Sequence, residues 1–121
     1  MKLGVFDSGI GGEAVARALR TTFPAAQIDT ASDREHVPYG DRSPDEVRSL
    51  TEAALEPFLK TGTYDVIILA CNTATALAID YLRSKYPAQK FIGIEPMVKP
   101  AAEQTVTNTI AVCATPATLR S

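Results

Sequence analysis

The stretch "YDVIILACNTATALAI", Tyr64 to Ile79, changes character in its middle. After Asp65, Val66 to Ala70 is an unbroken apolar run rich in β-branched residues. Such a run reads as a strand covered on both faces, as at the centre of a parallel sheet. From Ala74 onward the apolar positions are Leu77, Ala78, Tyr81 and Leu82, a helical stripe that ends before Pro87. A buried strand passing directly into a helix is half of a βαβ unit, and the rest of the chain repeats the pattern.

Upstream, "KLGVF" (Lys2–Phe6) is a short strand that stops at Asp7. After the glycines, Val15, Ala18, Leu19 and Phe23 fall at helical spacing, with Pro24 just beyond. "AQIDTA" reads as a weaker strand. In "RSPDEV", Ser43 suits a helix cap, Pro44 the first helical position, and Glu46 completes a capping box. Val47, Leu50, Ala54 and Phe58 give that helix a buried face, and Pro57 predicts a kink or early end. Downstream, "KFIGI" reads as a fourth strand and "NTIAVCA" as a fifth, with a helix from about Val98 to Thr105 between them. The alternation predicts an α/β fold: a doubly wound, mostly parallel sheet with helices on both faces.

A chain of 121 residues is the size of one domain. Apolar residues make up 45% and charged residues 21%, ordinary for a globular protein. A net charge of −2 leaves no electrostatic footprint for nucleic acid or an anionic membrane. The apolar run at Val66–Cys71 is too short to span a bilayer, and the N-terminus meets Asp7 too early for a secretory signal. Two cysteines without metal-ligand spacing, and one histidine, predict neither a metal site nor a disulfide framework. A reduced, cytoplasmic protein is expected.

Ligand sites in such sheets lie outside the carboxyl ends of the strands. Those ends carry Asp7 and Ser8, Asp33 to Gly40, Cys71, Asn72 and Thr73, Glu95 and Pro96, and Thr115 to Thr118. In "FDSGIGG" the glycines leave backbone amides available to an anion, and Gly9 to Ala14 even satisfies a dinucleotide pattern. Asp7 opposes a pyrophosphate there and favours a small ligand carrying both an ammonium and a carboxylate. In "HVPYGDRS", Tyr39 either presents its hydroxyl to a ligand or packs as a lid; His36 reads as a loop residue.

Cys71 stands where a strand gives way to a helix, whose free amides favour a thiolate. It is either a base or nucleophile at a site, or a buried packing residue. A thiol phosphatase loop needs an arginine where this chain has Leu77, and no C-x-x-C is present, so those two chemistries are excluded. Cys113, inside "IAVCA", reads as a small hydrophobe of a strand core.

Taken in order, "GVFDSGIGG", "VPYG", "ACNTATA", "GIEP" and "ATPATLRS" closely resemble the N-terminal half of the bacterial glutamate racemase family. The resemblance covers essentially the whole chain. It implies a flavodoxin-like half of a two-domain enzyme that interconverts L- and D-glutamate without a cofactor, by two-thiol proton transfer, for peptidoglycan synthesis. It makes Cys71 the first catalytic cysteine, with Asp7 supporting the thiol. Asp7, Ser8, Tyr39, Gly40, Asn72 and Thr73 then hold the substrate, joined by Thr115 and Thr118 on a further turn. Asp33 matches the acidic position before the "PYG" loop, though "REH" between them departs from the pattern. The resemblance also places about 1–97 in the first domain and makes 98–121 the start of a second. The family's second cysteine, in a Cys-Thr-His context, has no counterpart here. The chain alone is then expected to be inactive, needing a C-terminal half or a homodimer that sets two Cys71 thiols face to face. A non-catalytic amino-acid-binding domain and, behind it, a dinucleotide-binding domain are the alternatives.

Overall fold

The computed structural model describes residues 1–120. Four strands, β1 (Lys2–Asp7), β2 (Gln27–Ser32), β3 (Val66–Leu69) and β4 (Phe91–Gly93), form one parallel sheet in the order β2-β1-β3-β4. Five helices complete the fold: α1 (Gly12–Thr22), α2 (Pro44–Thr61), α3 (Asn72–Lys85), α4 (Val98–Gln104) and α5 (Pro116–Leu119).

Strand alternation sorts the core into two layers. Leu3 and Val5 of β1 and Ile68 of β3 pack with Ala16, Val15 and Leu19 of α1. Phe6 of β1 and Ile67 and Leu69 of β3 face the other way, against Val47, Leu55 and Phe58 of α2 and Ala74, Ala78 and Leu82 of α3. Helices therefore cover both faces, as the apolar run of β3 demands. The chain moves outward from β1 to β2, then crosses back to β3, so the topology reverses between β1 and β3. A crevice opens at such a switch point.

The start of α2 is built by the expected capping box: the Glu46 amide donates to Ser43 Oγ, and the Glu46 carboxylate accepts from the Ser43 amide at 2.9 Å. The helix does not stop at Pro57; it runs to Thr61 and is closed by Gly62 in the left-handed conformation. Pro57 lies on the exposed face beside Ala53 and Glu56, where the hydrogen bond that its ring removes is cheapest to lose.

The expected fifth strand is absent from the sheet, whose last member is β4. Residues 105–115 are irregular, Val112 is 39% exposed and Cys113 is exposed. "IAVCA" has strand composition, but a strand needs a partner, and the ladder offered by β4 ends at Gly93. The segment turns at Asn108, which takes a left-handed φ of 56°, and returns toward α3 instead. Cys113 is therefore not shielded in a strand core, and the assignment of core packing to it fails.

Glu52 of α2 ties that helix to the end of α3. Its carboxylate accepts from Tyr81 at 2.6 Å, from Lys85 at 2.7 Å and from the Tyr86 hydroxyl. The Lys85 ammonium, then the two hydroxyls, hold the carboxyl at about 2, below an ordinary value of 4.5. A depressed carboxyl pKa stabilises the fold above the unfolded value, and that contribution disappears as pH falls from about 4.5 toward 2. With Lys85 half-exposed, we expect Glu52→Gln to cost on the order of 1–2 kcal/mol at neutral pH. The variant should also show a shallower acid limb, read from urea midpoints between pH 2 and pH 7. An acid limb as steep as that of the parent would remove Glu52 from the account.

Candidate active site

The carboxyl ends of β1 and β3 lie side by side, and the amide of Ala70 donates to the Phe6 carbonyl at 2.6 Å. Just beyond these strand ends two reactive groups come together: Ser8 Oγ lies 3.4 Å from Cys71 Sγ. Cys71 is the N-cap of α3, in extended conformation, and its sulfur accepts from the Ala74 amide at 3.4 Å. An N-cap side chain normally supplies an oxygen to an orphan amide. Here a sulfur does so, which fixes the thiol beside the Ser8 hydroxyl at the start of α3. Cys71 is buried, only 7% exposed.

The glycine turn after β1 is occupied from within. Asp7 Oδ2 accepts from the amides of Gly9 and Gly11, both at 2.9 Å. The amides that the sequence leaves open to an anion are thus taken by the chain's own carboxylate. A pyrophosphate would have to displace a charged group covalently attached to the same turn, which removes the physical basis of a dinucleotide fingerprint.

A second wall comes from the loop between β2 and α2. A 3-10 turn at Tyr39–Asp41 places Tyr39 in the core cluster that also holds Cys71, with its ring 6.4 Å from that of Phe6. The Tyr39 hydroxyl donates to Asp33 Oδ2 at 2.8 Å, and His36 Nδ1 lies 2.8 Å from the other oxygen. Burial first, then Asp33, pushes the phenol pKa far up, so Tyr39 remains a neutral donor. His36 is a loop residue, as expected, with Arg42 Nε donating to its carbonyl at 2.8 Å.

The third wall is the turn that opens α5. Thr115 caps this short helix and its hydroxyl lies 3.0 Å from that of Thr73 and 3.1 Å from that of Thr118. Thr73 and Thr118 are buried, whereas Asn72, the first residue of α3, is exposed. Of the residues singled out in the sequence, Asp7, Ser8, Tyr39, Gly40, Cys71, Asn72, Thr73, Thr115 and Thr118 all stand on these three walls. Glu95 and Pro96 instead line a groove of about 800 Å³ that also touches Asn72 and Thr118. No group of three or more metal-ligating side chains occurs among the described residues. No helix among them is long and apolar enough to cross a membrane.

Gly40 shows how tightly two of the walls meet. A Cβ there would lie 2.8 Å from Thr115 Cγ2. The glycine is required for room, and its φ is unexceptional. We expect Gly40→Ala to destabilise by roughly 1–3 kcal/mol through overpacking and to loosen the α5 turn. Adding Thr115→Ser, which removes the obstructing methyl and keeps the hydroxyl, should restore most of the loss in thermal melts. A double variant no more stable than Gly40→Ala would refute this steric account.

Sequence reasoning placed Asp33 at the carboxyl end of the second strand and matched it to the family's acidic position, but nothing in the spacing shows that its two oxygens serve different rings. It missed Thr51, buried on α2, which carries no signal beyond its place among apolar residues.

No family model matches the chain. The glutamate racemase of a Sulfurovum species is 46% identical over 119 residues, which is 98% of this chain and 45% of the relative. Among solved structures, the glutamate racemase of Aquifex pyrophilus aligns with a TM-score of 0.84 at 40% identity, covering 99% of this chain and 47% of that one. The Francisella tularensis glutamate racemase, solved in complex with D-glutamate, aligns at 0.81 and 32% identity, covering 98% of this chain and 44% of that one. The chain therefore spans a little under half the length of the relatives it matches. Nearly all of its residues are homologous to the N-terminal portion of glutamate racemases, and it shares their α/β fold.

Proposed function

We propose that this chain forms one half of a glutamate-racemising site, an isomerase centre in which Cys71 is one of two thiol bases and no cofactor takes part. The observation that carries the reading is the Cys71 sulfur at the switch point, within 3.4 Å of both the Ser8 hydroxyl and the Ala74 amide. The arrangement holds the sulfur in one place, beside a hydroxyl and capped by a backbone amide.

In one direction the Cys71 thiolate takes the α-proton: the Cα–H bond breaks and an S–H bond forms. A second thiol on the opposite face delivers its proton to Cα and is left as the thiolate. The two exchange roles in reverse. The carbanion is stabilised by donors aimed at the substrate carboxylate, a part suited to the Thr73, Thr115 and Thr118 hydroxyls and to Asn72. Asp7, already fixed by two amides, assists proton transfer and turns its other oxygen to the substrate ammonium. Ser8, Tyr39 and Gly40 complete the pocket. We read 98–121 as the start of a second domain, since no residue of α4 is buried. D-Glutamate made this way would enter peptidoglycan synthesis in the cytoplasm.

The exposed Cys113 is not the opposing base. That thiol belongs to a C-terminal half like the one in the relatives, or to Cys71 of a second copy. The test is proton NMR of L-glutamate in D2O. The chain alone should leave the α-proton in place while glutamate slows Cys71 alkylation; joined to the C-terminal half of a relative, it should exchange that proton and form D-glutamate. Failure of glutamate to protect Cys71 would overturn the reading. An amino-acid-binding module without catalysis would show protection in both forms and exchange in neither.

A further inference from the structure

Thr51 sits on the inward face of α2, one turn from Val47 and one turn from Leu55, both packed in the cluster that holds Tyr39 and Cys71. It is fully buried, and its hydroxyl oxygen has no hydrogen-bond partner at normal geometry. Among the described residues it is the one buried side-chain oxygen or nitrogen in that condition. A hydroxyl shut away from water without a partner is costly. Tyr39 belongs to the same packed cluster as Val47 and Leu55, and the Thr51 hydroxyl between them bears on its phenol in the sense opposite to Asp33. The phenol hydrogen is already given to Asp33 at 2.8 Å. What the phenol oxygen retains is acceptor capacity, and what Thr51 retains is an unused donor.

We propose that Thr51 is a positioning residue: by donating to the Tyr39 phenol oxygen, it draws the Tyr39–Gly40 turn down onto Cys71. This rests on reading that turn as a wall of the amino-acid site. The chain of donors then runs in one direction, from Thr51 in α2 through Tyr39 to Asp33, whose other oxygen holds His36 at the half-exposed rim. A small settling of the turn onto α2 closes the first link. Gly40, next in the chain, already packs against Thr115 with no room for a Cβ. Thr51 touches no substrate in this scheme. It acts through Tyr39 on how often the crevice over Cys71 opens.

The experiment is alkylation of the full chain with iodoacetamide, resolved by peptide mapping, with exposed Cys113 as the internal standard. Thr51→Val keeps the shape and removes the donor. It should label Cys71 about fivefold faster, the opening expected when one hydrogen bond is lost, while its melting temperature is held or raised. Thr51→Ser keeps the donor and loses a buried methyl. It should melt lower yet label at the parent rate. Tyr39→Phe should label as fast as Thr51→Val, and combining the two should add nothing.

A merely structural Thr51 would make labelling follow stability, so faster labelling in Thr51→Ser than in Thr51→Val would overturn the proposal. Parent-rate labelling in Thr51→Val would overturn it equally. The racemase reading is tested separately in the parent chain, by whether glutamate slows labelling of Cys71. Loss of that protection leaves the comparison between the Thr51 variants intact.

Discussion

Replacing Cys71 by serine should lower D-glutamate formation at least a thousandfold in the enzyme assembled from this chain and a relative's C-terminal half. Removal of a positioned general base typically costs 10² to 10⁴, and a hydroxyl is a far poorer base to regenerate at neutral pH than a thiol. The substitution separates chemistry from structure unusually well. Serine is a better N-cap than cysteine, so its oxygen takes over the Ala74 amide that the sulfur now accepts. The contact with Ser8 can persist as an ordinary hydroxyl pair. The melting temperature should therefore be held or rise slightly while turnover collapses. Deuterium exchange at the glutamate α-carbon should fall in step with turnover, because both need proton removal by Cys71 in one direction or its return in the other. A serine variant retaining a tenth of the parent rate would remove Cys71 from the mechanism.

The largest effect on stability is expected at Phe58, where Phe58→Ala should cost about 3–5 kcal/mol. The ring lies directly over Gly4 of β1: a Cβ built on that glycine would come within 2.7 Å of Phe58 Cδ2. It also packs against Tyr64, with ring centroids 4.6 Å apart. Gly4 has no side chain to swing into the vacated space, so the hole stays open over the centre of the sheet. Against a total stability of about 5–15 kcal/mol for an ordinary domain, that loss is a large fraction. The pairing makes a sharper test possible. Gly4→Ala alone should destabilise by overpacking against the ring, but in a Phe58→Leu background the same methyl should be tolerated or should stabilise. Urea unfolding of the four proteins gives the coupling directly. Additive losses would mean that the ring and the glycine do not share one space.

Most of the architecture was legible because its signals are local. The run at Val66–Leu69 announced a strand covered on both sides, and Ser43, Pro44 and Glu46 announced the start of α2 nearly to the residue. The placement of Cys71 at a helix start was equally readable, since it needs only the strand before it and the stripe after it. "NTIAVCA" misled for the converse reason. Its composition is that of a strand, but whether a strand forms depends on a partner elsewhere, and composition carries no information about that. Asp7 reads from the sequence as hostile to a pyrophosphate, but its reach into the Gly9 and Gly11 amides is a matter of rotamer and turn shape. The union of Asp33, His36 and Tyr39 and the stranded hydroxyl of Thr51 belong to the same class. Each arises from contact across the fold, where spacing along the chain is silent.

Ser8 and Cys71 stand just beyond the carboxyl ends of adjoining strands, which makes the crevice mechanically lopsided. Both are anchored by the hydrogen-bonded ladder of β1 and β3, whose spacing of about 4.8 Å is among the least compliant lengths in a protein. The facing walls hang on a loop and on a four-residue helix. Thermal strain, crowding by a larger ligand, or a substitution in the surrounding helices will be taken up by the soft walls. The sulfur keeps its station. A catalyst arranged this way can tolerate drift in the parts that grip while the atom that reacts stays on a rigid footing.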